Sequence, residues 1–131
     1  MFLNFLRPPE YNSMNKFLLI FAGGGFGSVL RYGMTLFFTR WSQTFPTATF
    51  FTNIIACFAI GIITSYVSKG ILTDEHRAFL AVGVCGGFST FSTFSNETVK
   101  LMANNEWGTA FFYVTASIIA GFCATFIALK I

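Results

Sequence analysis

The chain has 131 residues, of which 54% are hydrophobic and 10% are charged, and its mean hydropathy is +0.66. This composition argues against an ordinary soluble domain and indicates a membrane protein. The net charge of +3 suggests lipid headgroups rather than nucleic acid as a partner. The sequence contains no Walker loop, HExxH, GxSxG or dinucleotide fingerprint, and we expect no enzymatic activity.

The charged residues are placed between long apolar windows. Those windows are Phe17–Phe38, Thr47–Ser68, Ala78–Asn96 and Gly108–Leu129. Together they contain one charge, Arg31, and each is 19 to 22 residues long, close to the roughly 20 residues with which a helix crosses the hydrocarbon core. The sequence therefore predicts an all-α integral membrane protein of four transmembrane helices, with an N-terminal extension at 1–14 and a single domain at 15–131.

The loops give only a weak preference for one orientation in the membrane. Lysine and arginine on the side of the termini are Arg7, Lys16, Lys69, Arg77 and Lys130, and those on the other side are Arg40 and Lys100. So small a bias allows insertion in both orientations, and a single orientation with the termini inside is the alternative. Four helices cannot easily enclose a polar pathway, so we expect an oligomer, of which an antiparallel homodimer is the smallest.

The first window combines glycines with an arginine inside the span. Gly23 and Gly27 form a GxxxG pair, which lets helix backbones approach closely. Arg31 lies seven residues before the end of the window, about 10 Å along a helix. Its guanidinium either reaches the interface or sets a positive potential at the mouth of a cavity, and the sequence leaves both alternatives open.

The second window carries Thr49 and Asn53 four residues apart, so both side chains lie on one helix face. An amide at this depth is costly to leave unpaired. One interpretation of Asn53 is a hydrogen bond between helices, and the other is an NH2 donor offered to a passing solute.

The third window contains the string GGFSTFSTFSNE at 86–97. Helical spacing predicts one row of Ser89, Thr93 and Glu97, with Phe91 and Phe94 on another face. The glycine pair and the hydroxyl residues after it favour a break near the middle of the span. Irregular backbone at this depth is tolerated only where it is buried in protein or lines water, and its freed carbonyl oxygens are hard ligands for a small cation.

The fourth window places Tyr113, Ser117 and Gly121 at intervals of four, on one face, a pattern that more often reflects packing than a pathway. The three cysteines, Cys57, Cys85 and Cys123, fall inside the windows without CxxC pairing. We therefore expect buried apolar filler rather than a disulfide framework or a metal site.

Taken together, these motifs resemble the Fluc-type (CrcB-like) bacterial fluoride channels. The resemblance covers roughly 15–131 and is carried by GGGFGSVLRY in the first window, by Thr49 and Asn53, by GGFSTFSTFSNET in the third window, and by Tyr113 with Ser117. Two positions depart from the family pattern. Ser89 stands where threonine is more common, and Gly121 stands where the family carries a hydroxyl residue.

The resemblance implies an antiparallel, dual-topology homodimer in the bacterial inner membrane, with fluoride as the transported ion. It implies a structural Na⁺ at the dimer interface, held by the backbone carbonyls of Gly86 and Ser89. The implied fluoride pathway consists of Asn53, Phe91, Phe94, Thr49, Tyr113 and Ser117. Thr93 and Glu97 would form a polar track, and Arg31 would serve the vestibule.

These residue types suit a small anion, because amide and hydroxyl donors and aromatic ring edges replace water around it. The implied function is passive fluoride efflux, which protects the cell from fluoride. A small multidrug or guanidinium exporter would also be a four-helix dimer, but it needs a buried carboxylate, and the first window carries Arg31 and no acid. A lipid-organising assembly is a third alternative, although it gives the clustered polar residues no role.

Overall fold

The computed structural model describes residues 12–39 and 44–131, with side chains described from Met14 onward. Those residues form α1 (Asn12–Phe38), α2 (Thr47–Ser68), α3 (Asp74–Arg77), a π-helical segment (Ala78–Cys85), α4 (Gly86–Phe88), α5 (Phe91–Ala103) and α6 (Trp107–Ala128). The described part of the chain contains helices and turns but no strand. Most of the predicted extension, at 1–11, and two of the loop arginines, Arg7 and Arg40, lie outside the described residues, and α1 already begins at Asn12.

Four helical spans are long and apolar enough to cross a membrane, which confirms the predicted all-α membrane class. They are Met14–Phe38, Thr47–Ser68, Asp74–Ala103 and Trp107–Ala128. The second span has the predicted bounds, and the third is longer at both ends than its apolar window. Large apolar side chains such as Phe21, Phe111 and Phe17 are 82%, 75% and 66% exposed. Exposed apolar surface on this scale is expected where lipid is the solvent.

The third span is assembled from several helical pieces. It starts at α3, whose Thr73 cap accepts a hydrogen bond from the His76 backbone, and it continues through the π-helical segment into α4. Ser89 then has φ −76° and ψ 159°, and Thr90 has φ −155° and ψ 116°. Both residues are extended, so the backbone ladder is interrupted before α5 begins at Phe91.

The first half of the third span packs against α1 through glycines on both sides. A Cβ added to Gly83 would lie 2.9 Å from the Gly23 Cα, and one added to Gly27 would lie 2.8 Å from the Phe88 backbone nitrogen. A Cβ on Gly87 would meet the Gly24 carbonyl oxygen. The close helix approach predicted at Gly23 and Gly27 is therefore a contact between α1 and the third span of the same chain. Backbone atoms of the facing helix leave no room for a larger side chain at these glycines.

The opposite side of the chain consists of α2 packed along α6. Gly61 allows this contact, since an added Cβ there would lie 2.6 Å from the Ala128 Cβ and 2.8 Å from the Thr125 carbonyl oxygen. Close to the other end, Leu101, Ala110 and Tyr113 form a small buried cluster. The two helix pairs leave the interrupted part of the third span between them, and this arrangement positions the candidate site.

Candidate functional site

Asn53 on α2 is tied to the interruption in the third span by two hydrogen bonds. Its Nδ2 donates to the Thr90 carbonyl oxygen at 3.3 Å, and the Thr90 backbone N–H donates to its Oδ1 at 2.9 Å. This contact between helices was one of the two interpretations of Asn53. The second interpretation is compatible with it, because the amide has two N–H donors and the Thr90 contact uses one of them.

Thr90 also caps the start of α5. Its Oγ1 accepts a hydrogen bond from the Thr93 backbone N–H at 3.2 Å and lies 3.0 Å from the Thr93 hydroxyl. A side-chain cap of this kind satisfies one of the N–H groups that a helix start leaves unpaired. Ser89 lies before the cap, and its hydroxyl donates to the Cys85 carbonyl at 2.8 Å. The predicted continuous row of Ser89, Thr93 and Glu97 is therefore wrong at its first member, because Ser89 is not on the same helix as the other two.

The interruption changes the hydrogen-bond partners of two backbone N–H groups. In a continuous helix these groups would donate to the Gly86 and Ser89 carbonyls. In an α-helix the Gly86 carbonyl accepts from residue 90 and the Ser89 carbonyl from residue 93. Here the Thr90 N–H donates to Asn53 and the Thr93 N–H donates to the Thr90 hydroxyl. Both carbonyls predicted as cation ligands thus lose their usual helical donors, which fits oxygens that are available to a hard cation.

An open cavity of about 300 Å³ lies beside the interruption. Its lining includes Asn53, Phe91, Phe94 and Ser117, which come from α2, α5 and α6. The two phenylalanine ring centroids are 5.9 Å apart. The hydroxyl oxygen of Ser117 is buried and has no hydrogen-bond partner among the described residues. A buried hydroxyl without a partner is costly, so a hydrogen-bond acceptor that reached Ser117 from the cavity would satisfy it.

Glu97 joins the helices at a second polar cluster. Its Oε1 accepts a hydrogen bond from the Thr49 hydroxyl, and its Oε2 accepts one from the Tyr113 hydroxyl, each at 2.8 Å. The Tyr113 ring is 5.0 Å from the Phe94 ring, between centroids. The resemblance assigned Glu97, with Thr93, to a polar track. In the structure Glu97 forms one cluster with Thr49 and Tyr113, which adjoins the aromatic part of the cavity lining.

Two further cavities adjoin the Glu97 cluster. One, of about 210 Å³, is lined by Arg31, Thr49 and Thr93 among others, so the arginine lies close to groups from α2 and α5. The other, of about 360 Å³, is lined by Glu97 and Lys100 with residues of the loops at 44–46 and 104–106. Arg31 is half-buried. Arg31 therefore lines a cavity together with residues of α2 and α5.

Sequence reasoning missed Thr90, which connects Asn53, the α5 cap and Thr93. A signal was present, because a threonine after an expected break and directly before a helical stretch is a favoured N-cap. The pairing with Asn53, 37 positions earlier, carries no local signal. Among the described residues, no group of three or more histidine, cysteine or acidic side chains is arranged to hold a metal.

Most of the chain matches the model of a known protein family. The family model of CrcB-like proteins, described as Camphor Resistance (CrcB), matches residues 18–129. The chain belongs to the CrcB family. The match to the family covers all four spans except the start of the first, as the resemblance in the sequence implied.

Curated relatives in the CrcB family carry the name fluoride-specific ion channel FluC. The one from Phocaeicola vulgatus is 43% identical over 109 residues, which cover 82% of this chain and 90% of the relative. The one from Flavobacterium psychrophilum is 43% identical over 120 residues, covering 90% and 97%. One from Thermus thermophilus is 40% identical over 119 residues, covering 90% and 95%. These relatives are matched over nearly their whole length.

Proposed function

We propose that this protein is a fluoride-specific ion channel that lets fluoride leave the cell passively. The observation that carries the proposal is the cavity at the interruption of the third span, where the Asn53 amide, the Phe91 and Phe94 rings and the unpartnered Ser117 hydroxyl converge. The names of the curated relatives support the choice of ion. Membership of the CrcB family argues against the exporter alternative.

The cavity chemistry suits a small, strongly hydrated anion. Moving a carboxylate-sized ion into a medium of low dielectric costs about 20 kcal/mol in the idealised limit, and a smaller ion costs more. Replacement donors are therefore needed. Asn53 and Ser117 supply N–H and O–H groups, while the edges of Phe91 and Phe94 supply weak positive partners. Weak partners help release, since a conducted ion must leave each position as readily as it arrives.

The remaining residues extend this pathway toward the far end of the bundle. Thr49 and Tyr113 present hydroxyls at Glu97, and Thr93 lies on the wall shared with Arg31. In our proposal Thr93 and Glu97 form the polar track, and Arg31 attracts the anion at the vestibule.

The working unit in our proposal is an antiparallel homodimer in the bacterial inner membrane. Ser92, Thr93 and Asn96 are exposed on α5 although they lie within a membrane span. Polar groups at this depth are rarely left facing hydrocarbon, because lipid offers them no hydrogen bonds. A second copy that packs on this face would cover them, and inversion of that copy would bring together the interrupted third spans of both subunits.

A structural Na⁺ between the two subunits completes the proposal. The Gly86 and Ser89 carbonyls of each copy would hold it, because the N–H groups that normally bind them are bonded to Asn53 and Thr90. Backbone carbonyls are oxygen ligands of the kind that hard cations take. The ion would supply positive charge beside the two interruptions. A test is the thermal stability of the purified dimer in sodium against potassium or N-methylglucamine buffer, with sodium expected to stabilise it.

The test of the function uses liposomes loaded with KF that contain the purified full chain. Addition of a potassium ionophore should release fluoride within seconds, as recorded with a fluoride electrode. Release of chloride from KCl-loaded liposomes should remain at the protein-free background. The absence of fluoride release, or chloride release at the same rate, would refute the channel.

Topology has its own measurement. A single cysteine added after Ile131, in a variant without native cysteines, should react with an impermeant thiol reagent from both faces of the membrane. About half of the copies should be labelled from each side. Labelling from one side only would contradict the antiparallel dimer while leaving the channel activity untouched.

A further inference from the structure

On α6 the side chains that face α2 follow a four-residue spacing with one gap. The positions are Tyr113, Ser117, Gly121 and Thr125, and all except Gly121 carry a hydroxyl. The Tyr113 hydroxyl is bonded to Glu97 and the Thr125 hydroxyl donates to the Cys57 carbonyl oxygen at 3.2 Å. At the level of Gly121, α6 itself offers no side-chain polar group.

The space left by Gly121 is occupied from the opposite helix. A Cβ added to Gly121 would lie 3.3 Å from the Cys57 Sγ, which is tighter than an ordinary van der Waals contact. Gly121 is buried and Cys57 is half-buried. The thiol of Cys57 therefore fills the gap in the row of α6 hydroxyls, and it does so only because residue 121 has no side chain.

Cys57 also lines two cavities. It borders the cavity of about 300 Å³ at Asn53 and a larger apolar one of about 810 Å³ that continues along α6 past Gly121 toward Leu129. Ser117 lines the same two cavities, and its buried hydroxyl oxygen has no partner among the described residues. The junction of the two cavities thus holds one unused hydroxyl and one thiol, from α6 and α2 respectively.

We propose that Cys57 is a pathway-lining residue that determines how readily an anion passes from Ser117 toward the end of α6. The proposal rests on the fluoride-channel function proposed above. An ion that leaves the Ser117 hydroxyl meets mostly apolar surface in the larger cavity, where the Cys57 S–H is the side-chain donor placed beside Gly121. A thiol is a weak donor. The Cys57 thiol therefore lowers the free-energy barrier to passage of the anion without binding the anion so tightly that its release is slow.

The first test replaces the thiol and then restores a polar group from the other helix. Cys57→Ala should slow fluoride efflux from liposomes about fivefold, because the donor at the junction is lost. Adding Gly121→Ser to Cys57→Ala should return efflux to within about twofold of the unmodified protein, since the serine hydroxyl then occupies the vacated space. Gly121→Ser alone should be poorly tolerated, because its Cβ crowds the Cys57 sulfur.

The matched control is Cys123→Ala, which removes an exposed thiol of α6 and should leave efflux unchanged. Dimer yield and thermal stability of each variant, recorded by gel filtration and melting, separate slow efflux from loss of fold. Efflux in Cys57→Ala equal to that of the unmodified protein, or no recovery in a folded double variant, would overturn the proposal. If the unmodified protein itself releases no fluoride, the failure lies in the proposed function instead.

Silver ion supplies a readout that a packing role would not move. A thiol is a soft ligand, and Ag⁺ replaces its proton, which passes to water. Silver ion, added at micromolar concentration as silver fluoride or silver nitrate in chloride-free buffer, should block efflux by the unmodified protein and by Cys123→Ser. The block should be lost in Cys57→Ser. A block that persists in Cys57→Ser, or the absence of any block in the unmodified protein, would place the thiol outside the pathway.

Discussion

The two halves of the third span differ sharply in how they meet the rest of the chain. From the π-helical segment to Phe88, the span packs against α1 with Gly83 and Gly87 set directly on backbone atoms. From Phe91 onward, it borders cavities and presents Ser92 and Asn96 on an exposed face. The first half is a fixed support, and the second half carries the polar groups. The irregular backbone between the two halves is therefore anchored on one side by the glycine contacts with α1 and on the other by Asn53.

The difference has a physical basis in what each half uses for contact. Glycine surfaces gain dispersion contacts over short distances and tolerate no added atom. Polar side chains near an interruption gain specific hydrogen bonds, such as those of Asn53 with Thr90, but leave volume between helices. An ion pathway needs open space between the helices, whereas the glycine contacts that fix the first half need the helices to be closely packed. Substitutions in the two halves should therefore affect different properties.

The largest effect is expected where the glycine contact is tightest. In Gly27→Ala the new Cβ would meet the Val84 carbonyl oxygen and lie 2.8 Å from the Phe88 backbone nitrogen. Because backbone atoms cannot rotate away, we expect a loss of about 3 kcal/mol of stability and little folded protein. Gly25→Ala is the matched control, since nothing lies within 4 Å of its added Cβ. Equal melting temperatures for the two variants would contradict this packing.

The next effect is expected at the link between the halves. Asn53→Ala leaves the Thr90 backbone N–H without its acceptor, which costs about 1–3 kcal/mol when the group is buried. It also removes an amide donor from the cavity. We expect fluoride efflux to fall about a hundredfold, as one hydrogen bond to a charged group is worth about 1.5–3 kcal/mol. An Asn53→Ala protein that folds and conducts at the normal rate would exclude the amide from the pathway.

A smaller effect is expected in the aromatic lining. Phe94→Ile keeps an apolar side chain in place but removes the ring edge, and we expect fluoride efflux to slow about tenfold while the melting temperature stays unchanged. Phe112→Ile is the control, because Phe112 is 62% exposed and does not line the cavity at Asn53. Efflux should distinguish the two variants. Identical rates would remove the Phe94 ring from the pathway.

Much of the architecture could be predicted from the sequence, because span length and the absence of charge follow directly from the hydrocarbon thickness. The bounds Thr47–Ser68 agree between the sequence and the structure. The ends of the third span were harder to predict from the sequence. Asp74 and Lys100 carry charges that the apolar windows exclude, yet both lie in the helical span, where the charged ends reach the interface.

The sequence identifies candidate residues for the site but not how those residues are arranged. Asn53, Phe91, Phe94 and Ser117 line one cavity, and Thr49, Glu97 and Tyr113 form one cluster. The sequence contains no record of which helix faces meet, so the hydrogen bonds of Glu97 with Thr49 and Tyr113 could not be predicted. Helical periodicity also failed at Ser89, since a regular period holds only while the backbone ladder is continuous.

If the polar groups at the interruption serve an ion rather than the fold, substitution of Ser117 should reduce efflux without reducing stability. Its buried hydroxyl has no partner among the described residues, so Ser117→Ala should leave the melting temperature unchanged or slightly higher. The same variant should slow fluoride efflux from liposomes about fivefold. Unchanged efflux together with a lower melting temperature would contradict the account, because the hydroxyl would then stabilise the fold and not the ion.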